Sequence, residues 1–438
     1  MRSSRLALPL FVGAVVASSL VFAENWPQWR GPLFNGSTTE TGLPTTWSTT
    51  EGVAWVTPMP GPSAATPAVW GDRVFVSSVD AQSKGLVGIC ISVKDGKVLW
   101  QKQVGKDRPA LVGGNNMACP SPIADGQRVF FYYGTGDLAA FDCDGNPLWS
   151  RTLDKDLGEF IVKYGYSSSP LLYKGKLYVV LLQNSSPGKY RASNRTGPLS
   201  SYLIALDPAT GKDLWRHVRR SEATDESLEA YITPVPYEGQ GRSQVVVVGG
   251  DCLTGHNPDD GEEVWRWSYN RQHGNMQRLV PSAVPGDGLI YFAEPRGKPL
   301  HAIRPDGTGA LTDAHVAWTF KGTTTDAATP LYYKGRVYLL DGDRRVMHCL
   351  DAKTGEVKWQ GQLGQGPVLR GSPTGADGRV YCINEAGQVI VLAAGDELKV
   401  VARIPMGEGP CRSSMAVAAG RLFIRTAKNL YCIGGKRQ

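Results

Sequence analysis

Two stretches decide how this chain folds: Ala205–Trp215, ALDPATGKDLW, and Cys349–Trp359, CLDAKTGEVKW. Each is a short apolar strand, a Thr-Gly turn and a second strand ending in tryptophan. Looser copies are SVKDGKVLW (Ser92–Trp100), FDCDGNPLW (Phe141–Trp149) and GHNPDDGEEVW (Gly255–Trp265), and a degraded copy runs from Ala302 to Trp318. The closing tryptophans Trp100, Trp149, Trp215, Trp265, Trp318 and Trp359 are 49, 66, 50, 53 and 41 residues apart. A repeat of that period built from short strands is the signature of a propeller or similar array.

Two columns set the register. The residue that opens each unit carries a hydroxyl: Thr66, Ser121, Ser169, Thr233, Ser282, Thr329, Ser372 and Ser414. In the third strand the position of the alanine of ALD is mostly small: Cys90, Ala140, Ala205, Gly255, Ala302, Cys349, Val391 and Cys432. Both columns count eight units, each with four short strands and turn signals between them. The eighth unit stops after its third strand, while VAWVTPMP (Val53–Pro60) is a last strand with no unit before it. The expectation is an all-β, eight-bladed propeller over residues 53–436, its ring closed by the N-terminal strand so that no edge stays open. Trp55 then takes the tryptophan position of blade 8, and Val400 or Val401 that of blade 7. Each ring should dock between neighbouring blades.

The first residues, MRSSRLALPLFVGAVVASSLVFA, read as a cleavable signal peptide over 1–23, with basic Arg2 and Arg5, an apolar run and a small-residue cleavage site. This predicts a periplasmic or secreted protein with no membrane span after cleavage. Residues 24–52 form an extended arm whose Trp26, Trp29 and Trp47 should staple it to the surface. With 47 Lys+Arg against 40 Asp+Glu, the charge of +7 is too mild, and too free of basic runs, for a nucleic-acid partner. The eight cysteines invite a disulfide reading, but Cys90, Cys349 and Cys432 sit where sister blades carry Ala or Gly. They therefore read as small buried hydrophobes. Neither they nor the six histidines show metal-site spacing. The sequons NGS, NSS and NRT read as chance matches.

In an up-and-down blade, the loop between strands two and three lies on the same face as the interblade loop. The long connections Leu182–Leu203, Arg219–Tyr231 and Asn270–Pro281 all fall on that face, where binding usually resides on a rigid scaffold. The hydroxyl column should ring the mouth of the axial channel there, satisfying strand-end backbone groups. Candidate ligand-binding residues just upstream are Asn116, Tyr166, Tyr231, Arg278, Asp326, Arg370 and Arg412. Arg370 and Arg412 share a register on adjacent blades and are expected to be neighbours. Two guanidiniums held together call for something anionic: an external carboxylate or phosphate, or an internal partner such as Asp326 or Glu229.

The pattern Ala-x-Asp-x-x-Thr-Gly-x-x-x-Trp resembles the tryptophan-docking repeat of the pyrroloquinoline-quinone (PQQ) propeller superfamily. That group includes quinoprotein alcohol dehydrogenases and the non-catalytic outer-membrane assembly factor BamB. WPQWRGP and TPAVWGDRVFVSS are similar to exported bacterial PQQ-like repeat proteins. The resemblance covers Val53 to about Gly435 and concerns a packing device, so it bears on fold more than on chemistry. The dehydrogenases it brings to mind carry an adjacent cysteine pair, calcium ligands and an aspartate base. This chain has no Cys-Cys, no CxxCH for haem, and no calcium-site context around acids such as Asp326 and Glu229. The reading is therefore a non-enzymatic exported scaffold or binding protein. It would use its loop-rich face for a protein partner or a small polar or anionic ligand in the cell envelope, with no catalytic residue, metal or cofactor assigned. The alternative is a PQQ-dependent dehydrogenase with PQQ and calcium.

Overall fold

The structure is a computed structural model describing residues 24–113, 115–186, 190 and 199–434. The signal peptide over 1–23, the NRT sequon and part of the long blade 3 loop lie outside the described residues. Eight antiparallel sheets follow one another around an axis. Seven have four strands; blade 4 has a fifth. Blade 1 shows the plan: Ala68–Trp70, Arg73–Val79, Gly85–Ser92 and Val98–Lys106, from the axis outward. The middle strands are almost wholly buried, while the outer strand alternates between exposed and half-buried positions, as expected of a strand with one solvated face. The innermost strands touch their neighbours, and Ala68–Trp70 meets both Ile123–Ala124 of blade 2 and Ala416–Ala418 of blade 8.

Blade 8 is completed from the other end of the chain. Val53–Pro58 pairs antiparallel with Asn429–Ile433, placing Trp55 opposite Cys432. The same cross-strand relation holds elsewhere: Cys90 faces Trp100, Ala205 faces Trp215 and Cys349 faces Trp359. In blade 7 the residue opposite Val391 is Ala402, and a bulge shifts Val400 onto Leu392. The tryptophan slot of that blade is therefore held by Ala402, not by Val400 or Val401. The same bulge recurs beside the small residue in the other blades, and counting residues without it misplaces the register.

Six of the seven repeat tryptophans dock on the next blade. Their indole N–H groups donate to Val93 (from Trp55, 2.8 Å), Cys143 (Trp100, 3.0 Å), Pro208 (Trp149, 2.9 Å), Pro258 (Trp215, 3.1 Å), Ala352 (Trp318, 3.0 Å) and Gly395 (Trp359, 2.9 Å). Trp265 departs. Blade 5 lacks a tight turn to receive it, because Pro305–Ala314 is longer and folds back so that Gly309–Ala310 pairs in parallel with Trp265 and Arg266. The Trp265 ring turns into its own blade, donates to Gln244 and lies over Gly255.

All eight cysteines are free. Cys90, Cys349 and Cys432 are fully buried, and burial pushes each thiol up to about 12.

The N-terminal arm is not a surface staple. It enters the axial channel, where the innermost strands would otherwise leave an unpaired backbone edge. Trp26 exchanges hydrogen bonds with Val69 at 2.9 and 2.8 Å, Pro27 accepts from Ala124, and the Gln28 amide bonds the backbone of Leu172. The chain then crosses to the far side. Arg30, buried without a carboxylate, donates to the carbonyls of Pro373 (2.8 Å), Pro330 (2.7 Å) and Asn35 (3.0 Å). Burial pushes its guanidinium down to about 9. Gly36, at φ +89°, is obligatory because a Cβ there would stand 2.0 Å from Arg30 Nη2. Thr38 and Gly36 pair with Gly375 of blade 7, and Glu40 accepts from the Gly420 N–H of blade 8.

Candidate functional site

The hydroxyl column forms a relay around the channel. The N–H of Thr66 donates to Ser121 Oγ (3.0 Å), Ser121 to Ser169 (2.9 Å), Ser169 to Thr233 (3.1 Å) and Thr233 to Ser282 (2.9 Å). It continues from Ser282 to Thr329 (2.9 Å), Thr329 to Ser372 (3.0 Å) and Ser372 to Ser414 (3.0 Å). Each of blades 2 to 8 thus caps the innermost strand of its predecessor. The relay is open at one seam. Thr66 Oγ1 is buried and has no hydrogen-bond partner, and between blades 8 and 1 the Ser413 hydroxyl donates to the Ala65 carbonyl at 2.8 Å instead.

Above this ring lies a cavity of about 410 Å³. Seven of the eight ring hydroxyl residues, all but Ser282, line its wall together with Tyr164, Tyr231, Arg278, Asp326, Arg370 and Arg412, and Trp29 of the arm is also part of the lining. Because the arm fills the channel below, the site is a cup and not a through-pore. Five of the seven candidate residues therefore meet here. Asn116 and Tyr166 do not. The Asn116 side chain accepts from the Ala118 N–H at 3.0 Å, and Tyr166 is buried between Tyr132 and Phe160 with its hydroxyl donating to Val180. Asn115 and Tyr164 take their places. Trp29 was missed because nothing in a non-repeating arm ties it to the axis; the only trace is the density of tryptophan beside Arg30 and Gly31.

The arginines have partners, though not Glu229, and Asp326 serves Arg278 rather than the pair expected. Arg370 pairs with Asp343 (2.8 Å) and Arg412 with Glu385 (2.8 Å), each on the preceding blade's turn between strands two and three. Arg278 pairs with Asp326 at 3.1 Å and lies 5.5 Å above the Tyr164 ring. Asp343 and Glu385 stand outside the lining, so the cup presents three guanidiniums and one carboxylate. Asp326 Oδ1 and Arg278 Nε are buried without hydrogen-bond partners. Glu229 is buried beside the cup. It accepts from the Lys163 N–H (2.7 Å), Asn184 and the Tyr190 hydroxyl, and burial pushes its carboxyl up to about 7.

Eight blades with tryptophan docking and an axial cup on the loop-rich face define a PQQ-like β-propeller. The family description "Outer membrane protein assembly factor BamB" matches residues 34–186, 120–297, 187–326 and 310–400, and the chain belongs to that family. It is 26% identical over 351 residues to a polyvinylalcohol dehydrogenase of Sphingopyxis sp. (strain 113P3), covering 75% of this chain and 49% of that protein. The chain thus spans about half the length of that relative. Among solved structures it is similar to BamB from Moraxella catarrhalis (TM-score 0.60, 15% identity, covering 87% of this chain and 99% of that one). It is also similar to a quinohemoprotein alcohol dehydrogenase from Comamonas testosteroni (TM-score 0.69, 13% identity, 94% and 81%). At these identities the structures speak to fold alone.

The cup can be tested against PQQ, the cofactor of the quinoprotein branch. Three guanidiniums and an indole ring suit a flat, carboxylate-bearing quinone. For the accompanying calcium, no group of three or more His, Cys, Asp or Glu among the described residues could hold a metal ion. Cys119 is the lone cysteine of the lining.

Proposed function

We propose that this chain is an exported, non-enzymatic binding propeller of the cell envelope, periplasmic or secreted. Its axial cup takes a small carboxylate- or phosphate-bearing ligand, and the long loops around it hold a protein partner. The observation that carries the reading is the excess of guanidinium over carboxylate in the cup lining, with Arg370 and Arg412 still partly exposed. Membership of the BamB family supports the protein-partner side of it. The test is thermal denaturation of the parent and of the Arg370→Ala/Arg412→Ala double variant, with and without citrate, inorganic phosphate and PQQ. Stabilisation confined to the parent is expected. Equal shifts in both would make the arginines structural. A pull-down of the mature protein from its own envelope fraction tests the partner.

A second reading is a PQQ-dependent dehydrogenase, favoured by the Trp29 ring in the cup and by the polyvinylalcohol dehydrogenase relative. In it the arginines would hold the quinone's carboxylates, and PQQ would supply the two-electron chemistry. Incubation with PQQ and calcium, an absorbance spectrum and a dye-linked alcohol assay separate the two readings.

A further inference from the structure

The arm is anchored at its start by a single carboxylate. The backbone N–H of Glu24 donates to Glu40 Oε1. The other oxygen of Glu40 accepts the Gly420 N–H of blade 8 at 2.6 Å. Glu40 is only 8% exposed. The Glu24 side chain folds back towards the same turn. It accepts from the Thr38 hydroxyl, the Thr39 N–H (2.8 Å) and the Thr39 hydroxyl (3.0 Å). Among the described residues, no lysine, arginine or histidine pairs with either carboxylate. Two backbone N–H groups meet the hydrogen-bonding needs of Glu40 but leave its charge uncompensated, which is costly away from water.

The sequence can supply the missing cation. Glu24 is the residue that follows the small-residue cleavage site ending at Ala23. Hydrolysis of the Ala23–Glu24 peptide bond adds one water. Ala23 leaves with a new carboxylate, and the Glu24 nitrogen becomes a primary amine, protonated at neutral pH. That nitrogen is the atom held by Glu40 Oε1. In an uncut chain it offers Glu40 one neutral N–H. As an ammonium it offers a full positive charge at the same place. A cut one residue earlier would carry the charge past Glu40, and a cut one residue later would remove this nitrogen.

We propose that the chain is processed between Ala23 and Glu24 and that the new N-terminal ammonium forms an ion pair with buried Glu40. The pair fastens the arm across the seam where the ring closes, since Glu40 holds Gly420 of blade 8 and Trp26, two residues on, pairs with Val69 of blade 1. The inference rests on the reading of the chain as exported, and the first measurement below separates the two.

Mass spectrometry of the protein taken from its own envelope fraction is expected to find a chain that starts at Glu24. A start elsewhere overturns the proposal and leaves export standing, whereas retention of residues 1–23 removes both. Two purified chains then test the ion pair, one starting at Glu24 and one keeping Ala23 before it. The Glu24 chain should melt higher by roughly 2 °C or more, the scale of a hydrogen bond to a charged group in a chain of this size. Its α-amine should react with acetic anhydride roughly tenfold more slowly than that of the longer chain, because a neighbouring carboxylate holds it protonated. Glu40→Gln, which keeps an acceptor for the Gly420 N–H, should abolish both differences. Equal melting of the two chains, equal labelling, or a difference that survives Glu40→Gln each overturns the proposal.

Discussion

The indole N–H of Trp55 donates to the carbonyl of Val93 at 2.8 Å, and its ring covers Gly96, where a Cβ would meet it at 2.7 Å. This contact joins the outermost strand of the last blade to the first blade and so locks the ring. Trp55→Ala should cost about 3–5 kcal/mol, the range for losing a buried tryptophan. Chemical denaturation checks the value. A loss below about 1 kcal/mol would mean that strand pairing with Asn429–Ile433 closes the ring unaided.

The blade count, the closing strand and the docking tryptophans were legible because each recurs: eight noisy copies of one pattern fix what one copy cannot. What the sequence hid is what occurs once. The arm has no sister segment to show that Arg30 seeks the carbonyls of Pro330 and Pro373. The partners of Arg370 and Arg412 lie across blade boundaries, where their choice depends on how two turns approach. Ala402 was displaced by a bulge that adds a residue without leaving a composition signal. Of the cup, the arginines and Tyr231 were legible from register; Trp29 was not.

The small column predicts thiol behaviour. Cys90, Cys349 and Cys432 should remain reduced and resist alkylation until the protein unfolds, since each is buried and its thiol is pushed up to about 12. Mass mapping of the unreduced protein checks this, and a disulfide involving any of the three contradicts it. Alanine at any one should cost about 1 kcal/mol, because only a small volume is lost.

Glu229 predicts a pH effect. Its buried carboxyl titrates near 7 instead of the ordinary 4.5, so between those values the folded state holds a proton that the unfolded state has released. The contribution is fully present below about pH 4.5 and is lost as pH rises through 7. Glu229→Gln, which keeps an acceptor for the Lys163 N–H, should remove that slope. Melting temperatures of the two proteins from pH 5 to pH 8 should therefore converge at the acid end and separate at the basic end, with the variant higher. A constant difference across the range would place Glu229 outside this linkage.

Gly255 gives the sharpest contrast within the repeat. Its counterparts include Ala140, Ala205 and Ala302, so by analogy Gly255→Ala should be harmless. The structure argues the reverse. Trp265, lacking a turn on blade 5 to dock against, lies over Gly255, and a Cβ there would stand 2.3 Å from the indole. Trp265 cannot retreat easily, because it is 1% exposed, bonds Gln244 and is covered by Gly309–Ala310 on its outer side. Overpacking of this kind costs about 1–3 kcal/mol. Gly255→Ala should fall in that range, while the reverse change Ala205→Gly, which inserts nothing, should lose about 1 kcal/mol or less through backbone entropy. Equal losses in the two variants would show that Trp265 can swing outward and that the parallel strand is not what holds it in.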